Sequence, residues 1–143
     1  MTAIVFYEKP GCAGNARQRA WLLEAGHSLE VRDLQRQRWT AQALLAFLAP
    51  LPVAAWFNRA APRVKSGEID PDRLDAETAL ALLLEQPLLI RRPLMQLPDG
   101  RRMVGFDAAA VDAWVGLARI PRGASEGCIG DADHCLPPQT HPE

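Results

Sequence analysis

The stretch Ala3-Ile4-Val5-Phe6-Tyr7-Glu8-Lys9-Pro10-Gly11-Cys12, with the segments that follow it to Asp33, decides the fold. Residues 3–7 are a β-rich run. Glu8-Lys9-Pro10-Gly11 is a turn, and Pro-Gly is a turn pair with a mechanism: proline pre-sets φ and glycine supplies positive φ. A helix is predicted from just after Cys12 to near Gly26, which suits a left-handed helix end. Ala16, Ala20 and Leu23 recur at steps of 4 and 3 and are expected to share one face of it. Ser28-Leu29-Glu30-Val31-Arg32-Asp33 alternates polar and apolar like a half-buried strand. The first 33 residues thus read β-α-β, which implies a parallel strand pair.

Beyond this unit the chain turns helical. Thr40 is placed to cap a helix carrying Leu44, Leu45, Phe47 and Leu48, and Pro50 and Pro52 end it. A short helical piece is predicted over residues 53–57 and a loop over 60–70. Asp70 and Asp75 are each placed to cap a helix running through residues 80–85. Leu88-Leu89-Ile90 reads as a short apolar strand interrupted by Arg91-Arg92-Pro93, and strand character resumes over residues 94–97. Asp99-Gly100 is the strongest hairpin signal in the chain and predicts an antiparallel partner over 101–104. Asp107 is expected to cap a last helix carrying Ala110, Val111, Trp114 and Leu117. A parallel pair, a helical insertion over about 40–86, an antiparallel hairpin and a final helix make the α/β thioredoxin-like arrangement. One domain is expected over residues 1–122. Residues 123–143 hold no Lys or Arg, four acids, and only Ile129 and Leu136 as large aliphatics, so a flexible acidic tail is expected there.

Composition narrows the function. The 143 residues are 48% hydrophobic and 23% charged, with a net charge of -1, the balance of a soluble globular domain. No global basic field points to nucleic acid. Of 16 basic residues only Lys9 and Lys65 are lysine, so the cationic groups are almost all planar guanidiniums suited to oxyanions. The apolar run over residues 44–57 is too short, and too broken by prolines, to span a bilayer. The N-terminus carries no secretory pattern, so a cytoplasmic protein without membrane contact is expected. Three cysteines do not make a disulfide framework.

Cys12 is the residue with the clearest chemistry. It stands where the first strand meets the first helix, where free N–H groups and the helix dipole favour a thiolate. Lys9, Arg17 and Arg19 are close in sequence and can add positive potential. A buried, inert cysteine is the alternative. The residue three positions on is Asn15, so there is no Cys-x-x-Cys pair and any redox cycle needs a resolving thiol from elsewhere. Cys128 and Cys135 are the candidates, since a mobile tail can reach a distant thiol. Their spacing, with His134 and His141, matches no strong zinc pattern, and no metal is expected. Asn58, Arg59 and Arg63 are either surface polar residues or parts of an anion site. His27 reads as structural, and the four tryptophans as packing residues. No phosphate loop, dinucleotide fingerprint or serine-hydrolase elbow is present.

Phe6-Tyr7-x-x-Pro10-Gly11-Cys12 and, more specifically, Pro87-Leu88-Leu89-Ile90-Arg91-Arg92-Pro93-Leu94 resemble the arsenate reductase (ArsC/Spx/MgsR) family of thioredoxin-like proteins over about residues 3–118. Trp56-Phe57-Asn58-Arg59-Ala60-Ala61-Pro62-x-Val64-Lys65-x-Gly67-Glu68 most resembles its small nitrogenase-associated branch. The resemblance implies a nucleophile at Cys12, a cis Pro93, and an anion-holding arginine at Arg92. It places Asn15, Asn58, Arg59 and Pro93 around an anion or glutathione site. Two further family arginines fall on Asn58 and Gly105, with Arg59, Arg101 and Arg102 nearby. No bound cofactor is implied. Glutathione as co-substrate, glutaredoxin and a nitrogenase-related protein are the implied partners. Two classes of function follow: a glutaredoxin-type thiol oxidoreductase, and a non-catalytic, Spx-like interaction module.

Overall fold

The computed structural model describes residues 1–119. The tail expected over residues 123–143, with Cys128 and Cys135, lies outside the described residues. A four-stranded sheet of order β2-β1-β3-β4 is built from β1 (Ala3–Glu8), β2 (Ser28–Asp33), β3 (Leu94–Gln96) and β4 (Arg102–Val104). β2 runs parallel to β1, from Ala3 opposite Ser28 to Glu8 opposite Asp33. β3 runs antiparallel to β1, with Tyr7 opposite Leu94, and β4 antiparallel to β3. The β-α-β reading and the hairpin at Asp99-Gly100 are both present.

β1 is a central strand, and its apolar residues serve both faces of the sheet. Ile4 and Phe6 pack with Leu22 of α1 (Ala13–Glu24) and with Phe106, Ala108 and Val111 around α5 (Ala108–Val115). Tyr7 turns to the other face, into a core shared with Leu44, Phe47 and Leu48 of α2 (Ala41–Leu48) and Ala79 and Leu83 of α4 (Ala76–Glu85). The sheet therefore lies between the α1/α5 layer and the insertion helices. Thr40 caps α2 through the Ala43 N–H at 3.0 Å, and Asp75 caps α4 through the Thr78 N–H at 2.8 Å.

Several details add to the sequence reading or differ from it. The face of α1 carrying Ala16, Ala20 and Leu23 is exposed, and the buried face is Gly14, Asn15, Gln18 and Leu22. β2 is an edge strand whose Val31 is 45% exposed, so its apolar alternation is only partly buried. One helical turn, α3 (Pro62–Lys65), forms within residues 60–70, started by Pro62 at its first position. Asp70 caps no helix; its Oδ1 accepts the Asp72 N–H and closes a turn. Pro87–Leu89 is a 3-10 turn rather than a strand, which the fixed φ of Pro87 favours, and only Ile90 bridges to Phe57. Asp107 stands at the start of α5 without a side-chain capping bond, and Leu117 lies past the helix end, after Gly116 at φ +91°.

Candidate functional site

The strand register brings two segments to one end of the sheet. β1 ends at Glu8 beside the start of β3 at Leu94. The loop carrying Cys12 leaves β1 at that end, and the Arg92–Pro93 bond, which is cis, enters β3 there. β4 also finishes there: the Gly105 N–H donates to the Pro93 carbonyl at 2.8 Å.

Lys9-Pro10-Gly11-Cys12 closes on itself through a Cys12 N–H to Lys9 carbonyl bond of 3.1 Å, with Gly11 at φ +84°. Proline followed by a positive-φ glycine is the signature of a type II turn. The turn delivers Cys12 as the capping residue of α1, where its Sγ accepts the Asn15 N–H at 3.5 Å. The free N–H groups and positive dipole end of the helix thus face the sulfur. Cys12 is 2% exposed.

Beneath the first two turns of α1 is a buried polar cluster. The Asn15 Oδ1 accepts the Lys9 N–H at 3.2 Å and its Nδ2 donates to Gln18 Oε1 at 2.9 Å. Glu8 accepts the Arg19 Nε–H at 2.7 Å. Burial pushes the Glu8 carboxyl above its usual range; Arg19 opposes this, and the charge of Asp33 adds to it. Arg19 is therefore committed to Glu8. Arg92, 3% exposed, is a further buried charge. Arg91 is anchored beside it by an N–H bond to the Trp56 carbonyl at 2.9 Å.

The other named residues separate. Asn58 sits on the segment pairing with residues 89–91: its N–H donates to the Leu89 carbonyl at 2.7 Å, and its Oδ1 accepts the Ala60 N–H. Arg59 is exposed and spans the Ala54 carbonyl and Asp72 at 3.2 and 3.3 Å. Arg63 pairs with Glu68 at 2.8 Å. Arg101 pairs with Asp99 at 2.8 Å, and Arg102 lies over the Phe47 ring at 5.5 Å. His27 is at the opposite end of the sheet. It accepts the Thr2 N–H at Nδ1 and meets the Gly116 carbonyl with Nε2 at 2.8 Å, so the proton is on Nε2. Among the described residues no cluster of His, Cys, Asp and Glu could hold a metal, and no helix is long and apolar enough to cross a membrane. Sequence reasoning overlooked Glu8 and Gln18 as site-forming groups. A charged residue ending a central strand just before the cysteine turn was the available signal for Glu8.

A family model described as ArsC family matches residues 15–114. The chain is 48% identical over 132 residues to a 15.7 kDa protein in the draG 3′ region of Rhodospirillum rubrum, covering 92% of each. It is 30% identical over 104 residues to the arsenate reductase ArsI2 of Synechocystis sp., covering 70% of this chain and 73% of that one. Its fold resembles the solution structure of an arsenate reductase (ArsC) related protein from Brucella melitensis, with a TM-score of 0.62 and 28% identity, covering 78% and 93% of the two chains.

Proposed function

The chain belongs to the ArsC family, and from that premise we propose that it is a glutaredoxin-type thiol oxidoreductase with Cys12 as its nucleophile. The observation that carries the reading is the position of Cys12 Sγ at the N-terminus of α1, accepting the Asn15 N–H, at the sheet end that also bears the cis Arg92–Pro93 bond. An N–H donor and a positive helix end stabilise a thiolate, and the thiolate is the attacking species.

In the proposed step the Cys12 thiolate attacks one sulfur of oxidised glutathione. A Cys12–glutathione disulfide forms, the original S–S bond breaks, and one glutathione thiolate leaves. A thiol of glutaredoxin then attacks the glutathione sulfur, returning Cys12 to its thiolate and leaving glutathione as a mixed disulfide on glutaredoxin, so that one glutathione is released reduced and glutaredoxin is oxidised. Two electrons pass in each exchange. Arg92 supplies planar donors for a glutathione carboxylate. In this reading Pro93, Asn58 and Arg59 are further candidate contacts for the glutathione anion. Asn15 contributes through its backbone N–H, its carboxamide being engaged internally. Cys128 and Cys135 are the candidate resolving thiols within the chain. The reading sets this chemistry in the cytoplasm. The relative named for the draG 3′ region, with the resemblance of residues 56–68 to the nitrogenase-associated branch, supports a nitrogenase-related protein as its client.

Treatment with oxidised glutathione followed by peptide mass mapping tests the reading. A single adduct on Cys12, absent from Cys12→Ser, is expected. No adduct, or one confined to Cys128 or Cys135, overturns it.

The low exposure of Cys12 favours a second reading, a non-catalytic interaction module. It predicts that Cys12→Ser retains the protein's cellular phenotype, whereas the oxidoreductase reading predicts its loss.

A further inference from the structure

Asn15 occupies the place that a second cysteine would take in a two-cysteine motif, yet it is fully buried and its side chain is hydrogen-bonded within the protein, to Lys9 and Gln18. The Lys9 N–H can only donate, so the atom facing it must be Oδ1. Nδ2 then faces Gln18, which must present Oε1. The orientation of both carboxamides is thus set by the backbone of the turn. Gln18 is itself 0% exposed.

We infer that the Asn15 carboxamide, backed by Gln18, is the positioning group that holds the Lys9–Cys12 turn so that the Asn15 N–H stays on the Cys12 sulfur. One residue grips the turn at both ends. Its side chain takes the first N–H of the turn, at Lys9, and its main chain donates to the thiol at the last, Cys12. Gln18 acts at one remove by fixing the rotation of the Asn15 amide. Besides that grip, the Lys9–Cys12 bond closes the turn on itself and the Ala16 N–H bond to the Cys12 carbonyl joins it to the helix, but neither bond fixes the Asn15 N–H on the sulfur. Without the grip the sulfur can move off its donor, and the thiolate loses a charge-assisted hydrogen bond.

This inference rests on Cys12 being the nucleophile, but its test needs no biological substrate. The pH dependence of Cys12 alkylation by iodoacetamide is measured in the full chain bearing Cys128→Ser and Cys135→Ser. Asn15→Ala is expected to slow alkylation at neutral pH about tenfold and to move the profile to higher pH. Gln18→Ala is expected to move it the same way by a smaller amount, and the double variant to add little to Asn15→Ala, because the two act in series. His27→Ala, which removes an equally buried polar side chain from the far end of the sheet, is expected to lower stability and leave the profile unchanged. An Asn15→Ala profile that superimposes on the parent overturns the inference. If Asn15→Ala does not fold, an unshifted Gln18→Ala profile does so. A His27→Ala shift matching that of Asn15→Ala also overturns it, by showing that general loosening is enough. If alkylation behaves as expected but no glutathione adduct forms, the oxidoreductase reading fails and the positioning role stands.

Discussion

The carboxylate of Glu8, the last residue of β1, accepts the Nε–H of Arg19 in the second turn of α1 at 2.7 Å, with only 8% of the Glu8 side chain exposed. The pair ties the helix that carries Cys12 to the strand that feeds it. Desolvation outweighs the attraction of Arg19, so the Glu8 carboxyl sits above its ordinary range.

That direction fixes the sign of a pH effect. A carboxyl whose folded value is raised contributes stability while protonated in both states and loses it as pH rises through the folded value. Wild type is therefore expected to lose stability relative to Glu8→Gln as pH rises from the ordinary carboxyl range through the raised folded value. Urea unfolding of both proteins across that range measures the difference. A difference that moves in favour of wild type with rising pH would mean that the Arg19 attraction dominates.

Gly26 ends α1 at φ +92°, and a Cβ added there would meet nothing within 4 Å. The cost of Gly26→Ala is then backbone strain alone, about 1–2 kcal/mol. Thermal unfolding is expected to show a fall of several degrees, with Gly26→Asn falling less because asparagine tolerates the left-handed region better. Equal losses for the two variants would count against this account.

His27 joins residues near the two ends of the described chain, meeting the Thr2 N–H at 3.0 Å and the Gly116 carbonyl at 2.8 Å. His27→Ala removes the partner of each, a loss of about 1–3 kcal/mol when the groups are kept from water. Denaturant unfolding is expected to show that loss. An unchanged midpoint would mean that water replaces the ring.

The sequence carried the β-α-β unit and the hairpin because local rules decide them: Pro10-Gly11 makes the turn, Gly26 ends the helix and Asp99-Gly100 reverses the chain. It grouped Ala16, Ala20 and Leu23 on one face of α1 but left the buried face unmarked, because periodicity counts apolar residues. Asn15 and Gln18 are buried in place of Ala16 and Ala20, and their burial is tolerable because each is hydrogen-bonded. The strand expected at Leu88-Leu89-Ile90 failed for a related reason. A three-residue apolar run does not distinguish a strand from a helical turn, and Pro87 favours the turn. Cys12 was legible from its junction position. The Glu8–Arg19 pair was not, because it joins residues eleven apart through the packing of helix on strand.

Arsenate gives the last prediction. A charged tetrahedral oxyanion entering a buried site gives up water, and fixed cationic donors must replace the lost hydrogen bonds. The resemblance to the arsenate reductases supplies one arginine, Arg92, and leaves Asn58 and Gly105 at the other two places. The neighbouring guanidiniums are engaged elsewhere: Arg59 with Asp72, Arg101 with Asp99, and Arg102 over Phe47. The Gly105 N–H is taken by the Pro93 carbonyl. Removing one partner of a buried charge pair costs about 2–5 kcal/mol, and about 1.4 kcal/mol is a factor of ten. Two absent arginines are therefore expected to lower arsenate turnover by several orders of magnitude. In a coupled NADPH assay with glutathione and glutaredoxin, run beside the Synechocystis enzyme, this protein is expected to show little or no arsenate reduction. It is still expected to take glutathione on Cys12, since that step needs a thiolate and one carboxylate anchor. Cys12-dependent turnover at a rate comparable to the Synechocystis enzyme would show that an arginine leaves its present partner to complete the site.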